Sequence, residues 1–245
     1  MAIRYFYESL SSTMDEARDK ALTGVEDGSV VIASCQTQGR GRRDRTWESP
    51  KGNLYLTYIT YLNCPLSEAP QLSFVACVAV GEALRPFLPP GNRATYKWPN
   101  DVLLNGKKVA GLLLEAISIP AKQEMGYLIG CGVNLTSQPS KVRYPTTSFQ
   151  NEGIYLSLEE VLERIIPSLQ RHIALWRKEG FSPINALWMK DAARLGTEIT
   201  LDLQGKAYKG IFKGIDRAGA LMLEMPQGLV KLTAGEVVER ERHPV

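Results

Sequence analysis

Short apolar runs and longer stretches with helical spacing alternate along the N-terminal half of the chain. Four apolar runs, rich in β-branched or aromatic residues, predict strands: 3–7, 29–35, 52–60 and 125–134. Residues 69–84 place apolar side chains at helical intervals, and Pro86 marks the end of that predicted helix. Asn105-Gly106 separates two further apolar runs, and an Asn-Gly pair in such a place is a strong hairpin signal.

Polar residues at the spacing of a capping box mark the starts of two predicted helices. The pairs are Thr13 with Glu16, and Ser157 with Glu160. Ser12 is an alternative N-cap for the first helix. The second helix has an apolar face over residues 158–176, and Pro167 is expected to kink it. A shorter helix is predicted over 184–193.

The pattern changes near Leu195. From there polar and apolar residues alternate with period two, and three turn dipeptides interrupt them: Gln204-Gly205, Ala218-Gly219 and Gln227-Gly228. This pattern predicts a small β-barrel of about fifty residues. We place the boundary between 190 and 196, which gives an N-terminal domain of residues 1–193 and a C-terminal domain of residues 194–245. Strands mixed with helices, followed by a β-only region, predict an α+β protein with two domains.

The bulk composition predicts a folded chain and argues against a general nucleic-acid binder. Hydrophobic residues make up 44% of the 245 residues, and the net charge is only +3. The N-terminal segment MAIRYFYESL lacks the apolar run of a signal peptide, and no run approaches the ~20 residues that cross a bilayer. We therefore expect a cytoplasmic protein without membrane association.

Cysteine and histidine usage restricts the chemistry further. The four cysteines, at 35, 64, 77 and 131, show no C-x-x-C spacing, which predicts reduced and mostly buried thiols. Only two histidines occur, His172 and His243, so a histidine-based metal site or a Ser–His–Asp triad is not expected. His172 lies at the edge of a helical apolar stripe, where a packed or surface histidine is expected over a catalytic one.

The segment QGRGRRDRTW (38–47) places four arginines beside two glycines. Glycine lets a backbone approach a ligand closely and change conformation. Arginine stays charged and grips carboxylate or phosphate with two N–H groups, and Trp47 offers a flat surface for a ring. The composition favours an anion-binding loop, but it also fits a solvated turn or an RNA-binding segment.

A second polar cluster lies in KWPNDVLLNGKKVAG (97–111). A carboxylate beside an amide, as in Asn100-Asp101, can hold Mg²⁺, and neighbouring lysines can neutralise phosphate oxygens. Both residues follow Pro99, so we expect them at a strand end that faces a cleft. The alternative interpretation is an ordinary hairpin with a solvated aspartate and turn lysines.

Two further segments suit a ligand. Small residues in GCGVN (130–134) would let a flat molecule lie on the backbone, and Asn134 offers the donor and acceptor of an adenine partner. Close strand–helix packing, with Asn134 in a turn, fits equally well. The hydroxyls of Ser12 and Thr13 favour helix capping and can also face a ligand. Together the clusters favour an enzyme that stabilises negative charge electrostatically.

These segments resemble those of the biotin–protein ligases, in the same order and with similar spacing. The segments that carry the resemblance are GRGRRDRTWESPKGNLYLT (39–57), KWPNDVLLNGKKVAGLLLE (97–115), GCGVN (130–134) and GIDRAGALMLE (214–224). The resemblance covers nearly the whole chain. It implies a mixed β-sheet flanked by helices, like that of class II aminoacyl-tRNA synthetases and biotin ligases, with a small C-terminal SH3-like β-barrel.

The resemblance also implies a reaction in two halves. Biotin's carboxylate attacks the α-phosphate of ATP, with Mg²⁺ as cofactor, to give biotinyl-5′-adenylate and pyrophosphate. A lysine of a biotin carboxyl carrier protein domain, part of a biotin-dependent carboxylase, then attacks the adenylate and forms an amide. The arginine-rich loop would shelter this hydrolysis-prone mixed anhydride.

Roles for individual residues follow from the same resemblance. Biotin contacts are implied at Ser12, Thr13, Met14, Gln36, Arg40, Gly41, Arg42, Lys108, Gly111, Gly130 and Gly132. ATP or adenylate contacts are implied at Arg40, Arg42, Arg45, Trp47, Asn100 and Asn134. The expected catalytic residues are Lys108, Lys97, Asp101 and Arg42. Lys108 is expected to be the main electrophile, and Asp101, with Asn100, to place Mg²⁺.

Two features depart from the family pattern. Met14 stands where the family often has Asn, so a polar contact to biotin is missing or comes from the backbone. The chain begins almost at the catalytic domain, so we expect a ligase without the helix-turn-helix domain of repressor members and without nucleic-acid binding. Family members include dimers and monomers, so a homodimer is compatible with the sequence.

Three other functions are alternatives to a biotin ligase. A lipoate or octanoate ligase belongs to the same superfamily, but the GRGRR loop and the C-terminal barrel favour biotin. A biotin sensor without catalysis is disfavoured because Lys97, Asp101 and Lys108 are all present. A nucleic-acid-binding protein that uses the arginine loop is disfavoured by the balanced net charge.

Overall fold

The computed structural model describes residues 3–119, 124–140, 142 and 144–238. Its first sheet contains β1 (Arg4–Tyr7), β2 (Val30–Ala33), β3 (Leu54–Tyr61), β4 (Ala94–Lys97), β5 (Asp101–Leu104), β6 (Lys107–Ile119) and β7 (Glu124–Val133). The strand order is β1-β2-β3-β7-β6-β5-β4. β1 is parallel to β2 and the other neighbours are antiparallel, so the sheet is mixed.

Helices cover both faces of this sheet. They are α1 (Thr13–Leu22), α2 (Gln71–Leu84), α3 (Leu158–Glu179) and α4 (Phe181–Lys190). Successive side chains of a strand point to opposite faces. In β2, Val31 packs with Ala17 of α1, whereas Val30 and Ile32 belong to the larger core beneath α2, α3 and α4. α1 therefore lies on one face, and the other three helices lie on the opposite face.

A second sheet follows the helices. It contains β8 (Glu198–Leu203), β9 (Lys206–Ile215), β10 (Leu221–Met225), β11 (Gly228–Leu232) and β12 (Glu236–Val238). All pairs are antiparallel, in the order β11-β10-β9-β8-β12. The β9–β10 turn docks on the first part of the chain, where Trp98 Nε1 donates to Gly219 O at 3.0 Å and Gln71 Nε2 donates to Arg217 O at 3.1 Å. This contact holds the second sheet close to the KWPND segment.

The predicted fold class is confirmed: a mixed sheet flanked by helices, with a separate antiparallel sheet near the C-terminus. The predicted hairpin is present as well. Asn105 and Gly106 both have positive φ, at 52° and 79°, in the two-residue turn between β5 and β6. Asn and Gly tolerate this left-handed backbone, which matches the twist of the flanking strands.

The capping box predicted for α1 from Thr13 and Glu16 is wrong, because Thr13 is the first residue of the helix and not its N-cap. Ser12, the alternative predicted cap, is the N-cap of α1, because its side chain accepts a hydrogen bond from the Met14 N–H. The capping box predicted for α3 is present, and α3 runs through Pro167 as one element. α4 begins before its predicted start.

The histidines and cysteines take structural positions. His172 is buried, with Nδ1 at 2.8 Å from Ser168 O and Nε2 at 3.1 Å from Glu82 Oε2, in agreement with the packed interpretation. His243 lies outside the described residues. All four thiols are free; two are buried and two partly exposed: Cys77, Cys131, Cys35 and Cys64. None of the helices in the described ranges has the length and hydropathy needed to cross a membrane.

Candidate active site

A cavity of about 1200 Å³ lies between β6, β7, the arginine-rich loop (39–47) and β12. It is large enough for a ligand the size of a nucleotide joined to a second small molecule, since ordinary ligand pockets measure roughly 300–1,000 Å³. The structure brings nearly all predicted site residues to its wall. They are Ser12, Thr13, Met14, Gln36, Arg40, Gly41, Arg42, Arg45, Trp47, Lys97, Asn100, Asp101, Lys108, Gly111, Gly130 and Gly132.

Glycines of β6 and β7 form a floor on which the Trp47 ring lies. Gly111 and Gly132 are paired across the two strands. A Cβ at Gly132 would meet the indole Cε2 and Nε1 at 2.6 Å, and one at Gly111 would meet Cζ3 at 2.8 Å. Only glycine permits this approach. The Trp47 Nε1–H is buried and has no hydrogen-bond partner among the described residues, so it is available as a donor inside the cavity.

A chain of polar side chains lies at one end of the floor. Thr13 donates through both N and Oγ1 to Gln36 Oε1, at 2.8 and 3.1 Å, and Thr57 Oγ1 donates to Thr13 Oγ1 at 2.9 Å. The other end of the Gln36 amide donates to Ser49 Oγ at 2.8 Å, and Ser49 donates to Trp47 O at 2.9 Å. These bonds fix the Gln36 amide and connect it to the backbone of the indole residue. We call Thr13, Gln36 and Thr57 the polar cluster.

A buried ion pair lies in the cation-rich part of the cavity. Lys108 Nζ is 2.7 Å from Asp101 Oδ1, and both side chains are mostly buried. Asp101 is the first residue of β5, and Lys108 is the second residue of β6. The two strands are paired, with Asp101 opposite Gly111, and this pairing brings the two side chains together. Burial by itself lowers the pKa of Lys108, but the Asp101 carboxylate and nearby acidic groups outweigh it, so the pKa is raised. The ammonium is therefore charged at neutral pH.

The arginine-rich loop is a small hairpin. Arg40 and Thr46 form an antiparallel bridge, and Gly41 N donates to Arg45 O at 2.6 Å. Arg43 and Asp44, at the tip, have φ of 55° and 57°. Non-glycine residues adopt this left-handed backbone at an energetic cost. The sequence prediction of a pliable loop thus corresponds to a short hairpin with a strained tip.

Ion pairs and hydrogen bonds attach this hairpin to three different elements. Arg40 Nη2 lies 2.9 Å from Asp15 Oδ1 of α1 and 3.3 Å from Glu115 Oε1 of β6. Two more arginines anchor the far side: Arg42 Nη1 donates to Asn100 Oδ1 at 3.2 Å, and Arg45 Nη1 donates to Glu236 Oε1 of β12 at 2.7 Å. Burial, and then the charge of a neighbouring arginine, lowers the pKa of Arg42, but a guanidinium remains charged. The loop therefore carries cations that are held over the cavity.

Met14 and Asn134 lie in apolar or internal surroundings. Met14 is buried with the apolar residues of α1, and its Sδ would be 2.8 Å from a Cβ at Gly130. Met14 therefore gives the cavity wall a thioether, where the asparagine that is common in the family would give an amide. Asn134 lies behind the wall, where its Nδ2 donates to Thr147 O at 3.0 Å. The structure does not bring Asn134 into the cavity, and its contact with adenine stays a prediction.

Two of the cavity-wall residues that sequence reasoning missed contact cations of the predicted site. Glu236 accepts from Arg45, and the ring of Tyr144 lies close to Lys97 and Lys108. Glu236 belongs to an alternating pattern that predicted only a strand. Tyr144 lies between regular elements, where no motif marks it. Both reach the site through tertiary contacts that the local sequence does not encode.

Two family models match the chain. Residues 6–134 match the Biotin/lipoate A/B protein ligase family, and residues 195–240 match the Biotin protein ligase C terminal domain. The first match covers about half of the chain and includes the glycine floor and the loop. The second covers the five-stranded sheet that contributes Glu236.

Curated relatives give the same assignment, and a solved structure has the same fold. The chain is 40% identical over 225 residues to "Biotin--[acetyl-CoA-carboxylase] ligase" of Paracoccus denitrificans, covering 89% of this chain and 93% of that protein. It is 32% identical to "Bifunctional ligase/repressor BirA" of Bacillus subtilis, covering 95% and 72%. It shares its fold with the Aquifex aeolicus biotin protein ligase solved with biotin and ATP, at a TM-score of 0.82, 24% identity and coverage of 97% and 98%. The chain therefore belongs to the biotin protein ligase family.

Proposed function

We propose that this protein activates biotin with ATP, forming biotinyl-5′-adenylate and pyrophosphate, and then transfers biotin to a lysine of a biotin carboxyl carrier protein domain. One observation carries the proposal. A single cavity joins a neutral polar pocket, a glycine floor beneath an indole ring, and several cations near the Asp101 carboxylate. An acyl-adenylate contains chemical groups that suit each of these three parts of the cavity. A relative that is named as a biotin ligase supports the same reaction.

Biotin is proposed to lie along β7, with its ring system at the polar cluster and its carboxylate at Lys108. Gly130 pairs with Thr57 of the polar cluster. Gly132 pairs with Gly111, where a Cβ would lie 3.2 Å from the Lys108 ammonium. Positions 130 and 132 are two residues apart in β7, so both face the same side of the sheet and lie ~7 Å from each other. The amide and hydroxyl groups of the polar cluster suit a cyclic urea, which both donates and accepts hydrogen bonds.

The first half-reaction requires neutralisation of charge and no protein nucleophile. A carboxylate oxygen of biotin attacks the α-phosphorus of ATP, and the bond from that phosphorus to the pyrophosphate oxygen breaks. The charged Lys108 would donate to the carboxylate and to an α-phosphate oxygen, which aligns them and stabilises the transition state. Arg42 and Lys97 line the same part of the cavity and would neutralise the remaining phosphate charge.

The arginine-rich loop would exclude water from the cavity and control access to it. Trp47 covers the floor, and the ion pairs of Arg40 and Arg45 hold the hairpin across the cavity. A closed hairpin protects the mixed anhydride from hydrolysis. In the second half-reaction, a neutral lysine amine of the carrier attacks the carbonyl carbon of biotin, AMP leaves with the bonding electrons, and the nitrogen gives up one proton to water as the amide forms. The hairpin must release part of its contacts to admit that lysine.

Asp101 is the residue proposed to hold Mg²⁺. The described residues contain no group of three or more acidic, histidine or cysteine side chains that could hold a metal ion by themselves. A single carboxylate nevertheless fits Mg²⁺, which commonly takes one or two protein carboxylates together with substrate phosphates and water. The ion would neutralise phosphate charge when bound. Asn100 Oδ1 accepts from Arg42 in this structure, so Asn100 is proposed to orient Arg42 as well.

The same proposal extends to the organisation of the chain. We assign the chemistry to residues 1–193 and assign to residues 194–245 the closure of the site, because Glu236 of the second sheet anchors Arg45. The free thiols support a reducing, cytoplasmic location. The expected partners are biotin, ATP and the carrier domain of a biotin-dependent carboxylase.

Transfer of label to a carrier tests this function. The protein is incubated with ATP, Mg²⁺, radiolabelled biotin and a purified biotin carboxyl carrier domain, and the carrier is then isolated. We expect label on the carrier, and none when the carrier's target lysine is replaced by arginine. Parallel reactions with lipoate and octanoate test the second candidate, which the family model also includes. Label from lipoate but not from biotin would overturn the proposal.

A further inference from the structure

The ring of Tyr144 lies close to two lysines of the cavity. Its centroid is 5.4 Å from Lys108 Nζ and 5.8 Å from Lys97 Nζ. An ammonium within ~6 Å of an aromatic centroid is attracted by the ring quadrupole. The Lys108 ammonium has a second ring at 5.2 Å, that of Trp47. Aromatic rings from two separate segments thus surround the cation that is proposed to act on the α-phosphate.

The backbone holds Tyr144 at a fixed position relative to Lys108. Lys108 N donates to Pro145 O at 2.9 Å, and Thr147 N donates to Lys108 O at 2.9 Å, so residues 144–147 run alongside the start of β6. Asn134 Nδ2 donates to Thr147 O and anchors the segment from the other side. The segment that carries the Tyr144 ring is therefore hydrogen-bonded through its backbone to the strand that carries the Lys108 ammonium.

Charge explains why such a ring is useful here. Lys97 and Lys108 are both largely buried beside the same ring, and their like charges repel each other. In this structure Asp101 is paired with Lys108 at 2.7 Å. An entering phosphate competes with that carboxylate for the ammonium. A neutral aromatic face attracts both cations without competing for their N–H groups, and it also keeps water away from them.

We propose that Tyr144 is a positioning residue for adenylation, whose ring holds the Lys97 and Lys108 ammonium groups where ATP phosphates bind. This inference deepens the proposed function and rests on it. The ring acts on the ATP end of the cavity and leaves the polar cluster, where biotin's ring system is proposed to bind, unchanged. Tyr144 acts through the lysines and takes no proton or covalent bond from the substrate.

Three variants separate the ring from its hydroxyl and from mere packing. Tyr144→Leu removes the ring but keeps an apolar side chain, whereas Tyr144→Phe keeps the ring. Tyr155→Leu is the matched control, because Tyr155 is 78% exposed and remote from the cavity wall. The Kd of ATP and the Kd of biotin are measured separately by titration calorimetry, and biotin-dependent pyrophosphate exchange gives kcat and KM for ATP.

Tyr144→Leu is expected to lower kcat/KM for ATP and the affinity for ATP by about tenfold, as the loss of cation–π attraction to partly desolvated ammonium groups predicts. Its biotin affinity is expected to fall by less than its ATP affinity, because Lys108 also contacts the biotin carboxylate while the polar cluster stays intact, and Tyr144→Phe is expected to recover most of both losses. Equal losses in the Phe and Leu variants, an unchanged ATP Kd in Tyr144→Leu, or a loss of biotin affinity as large as the loss of ATP affinity would each overturn the inference. If the parent shows no exchange, the proposed function fails, while the ATP Kd still decides whether Tyr144 acts on the lysines.

Discussion

Replacement of Gly132 by alanine tests whether the Trp47 ring lies on the glycine floor. The new Cβ would stand 2.6 Å from the indole Cε2 and Nε1. Carbon atoms in ordinary contact are ~3.5–4.0 Å apart, so the ring or the strand must shift by about 1 Å. Overpacking of this kind costs about 1–3 kcal/mol. Because Trp47 belongs to a loop that can yield, we expect a loss near 1 kcal/mol in the free energy of unfolding. A shift of this size at the biotin site should weaken biotin binding by about tenfold.

The assay is a double-mutant cycle. Urea unfolding gives the free energy of unfolding, and calorimetry gives the biotin Kd, for the parent, Gly132→Ala, Trp47→Ala and the double variant. Removal of the indole removes the atoms that the new methyl meets, so Gly132→Ala should cost less than about 0.5 kcal/mol in the Trp47→Ala background. An equal cost in both backgrounds would show that the methyl meets the strand and not the ring, and would refute the floor.

Three further predictions follow from the cations and their anchors. Lys108→Ala should slow adenylation by about 10²–10³-fold in a pyrophosphate-burst experiment. The control is Lys107→Ala, because the Lys107 ammonium pairs with Glu152 at 3.0 Å outside the cavity, and this variant should give a normal pyrophosphate burst. Equal bursts from the two variants would refute the role of Lys108. Arg42→Ala should release adenylate into solution on the order of tenfold faster, measured by rapid filtration, because a half-buried cation of the closed hairpin is lost. Equal retention of adenylate by the variant and the parent would count against this role. Glu236→Gln should raise the KM for ATP and leave the biotin Kd unchanged. The hydrogen bond from Arg45 lowers the pKa of Glu236, so this anchor contributes fully above the ordinary glutamate pKa and should be lost as the pH falls through the lowered pKa of Glu236.

Local patterns predicted those parts of the fold that depend on local physics. The Asn105-Gly106 turn requires positive φ at both residues, and few residue types other than Asn and Gly adopt it at low cost. That turn folds β6 back on β5 and brings Lys108 beside Asp101, so the hairpin signal also placed the central ion pair. The capping residues of α1 and α3 were readable for the same reason, because each satisfies N–H groups within one helical turn.

Contacts between distant segments could not be predicted in this way. Tyr144 reaches the lysines because its segment pairs with β6, and Glu236 reaches Arg45 because the second sheet docks on the first part of the chain. Both depend on packing between elements that are far apart in sequence. Asn134 illustrates the converse case. Its donor and acceptor suit an adenine edge, but the donor also suits a backbone carbonyl, and the fold supplies one at Thr147.

Biotin-dependent exchange between radioactive pyrophosphate and ATP tests the central claim most directly, because it requires only the chain, Mg²⁺, ATP, pyrophosphate and biotin. Reversible formation of biotinyl-5′-adenylate predicts that label enters ATP when biotin is present, and that no label enters without biotin or with Lys108→Ala. Absence of exchange from a folded chain that binds both biotin and ATP would contradict the proposal that its cations stabilise the formation of an acyl-adenylate.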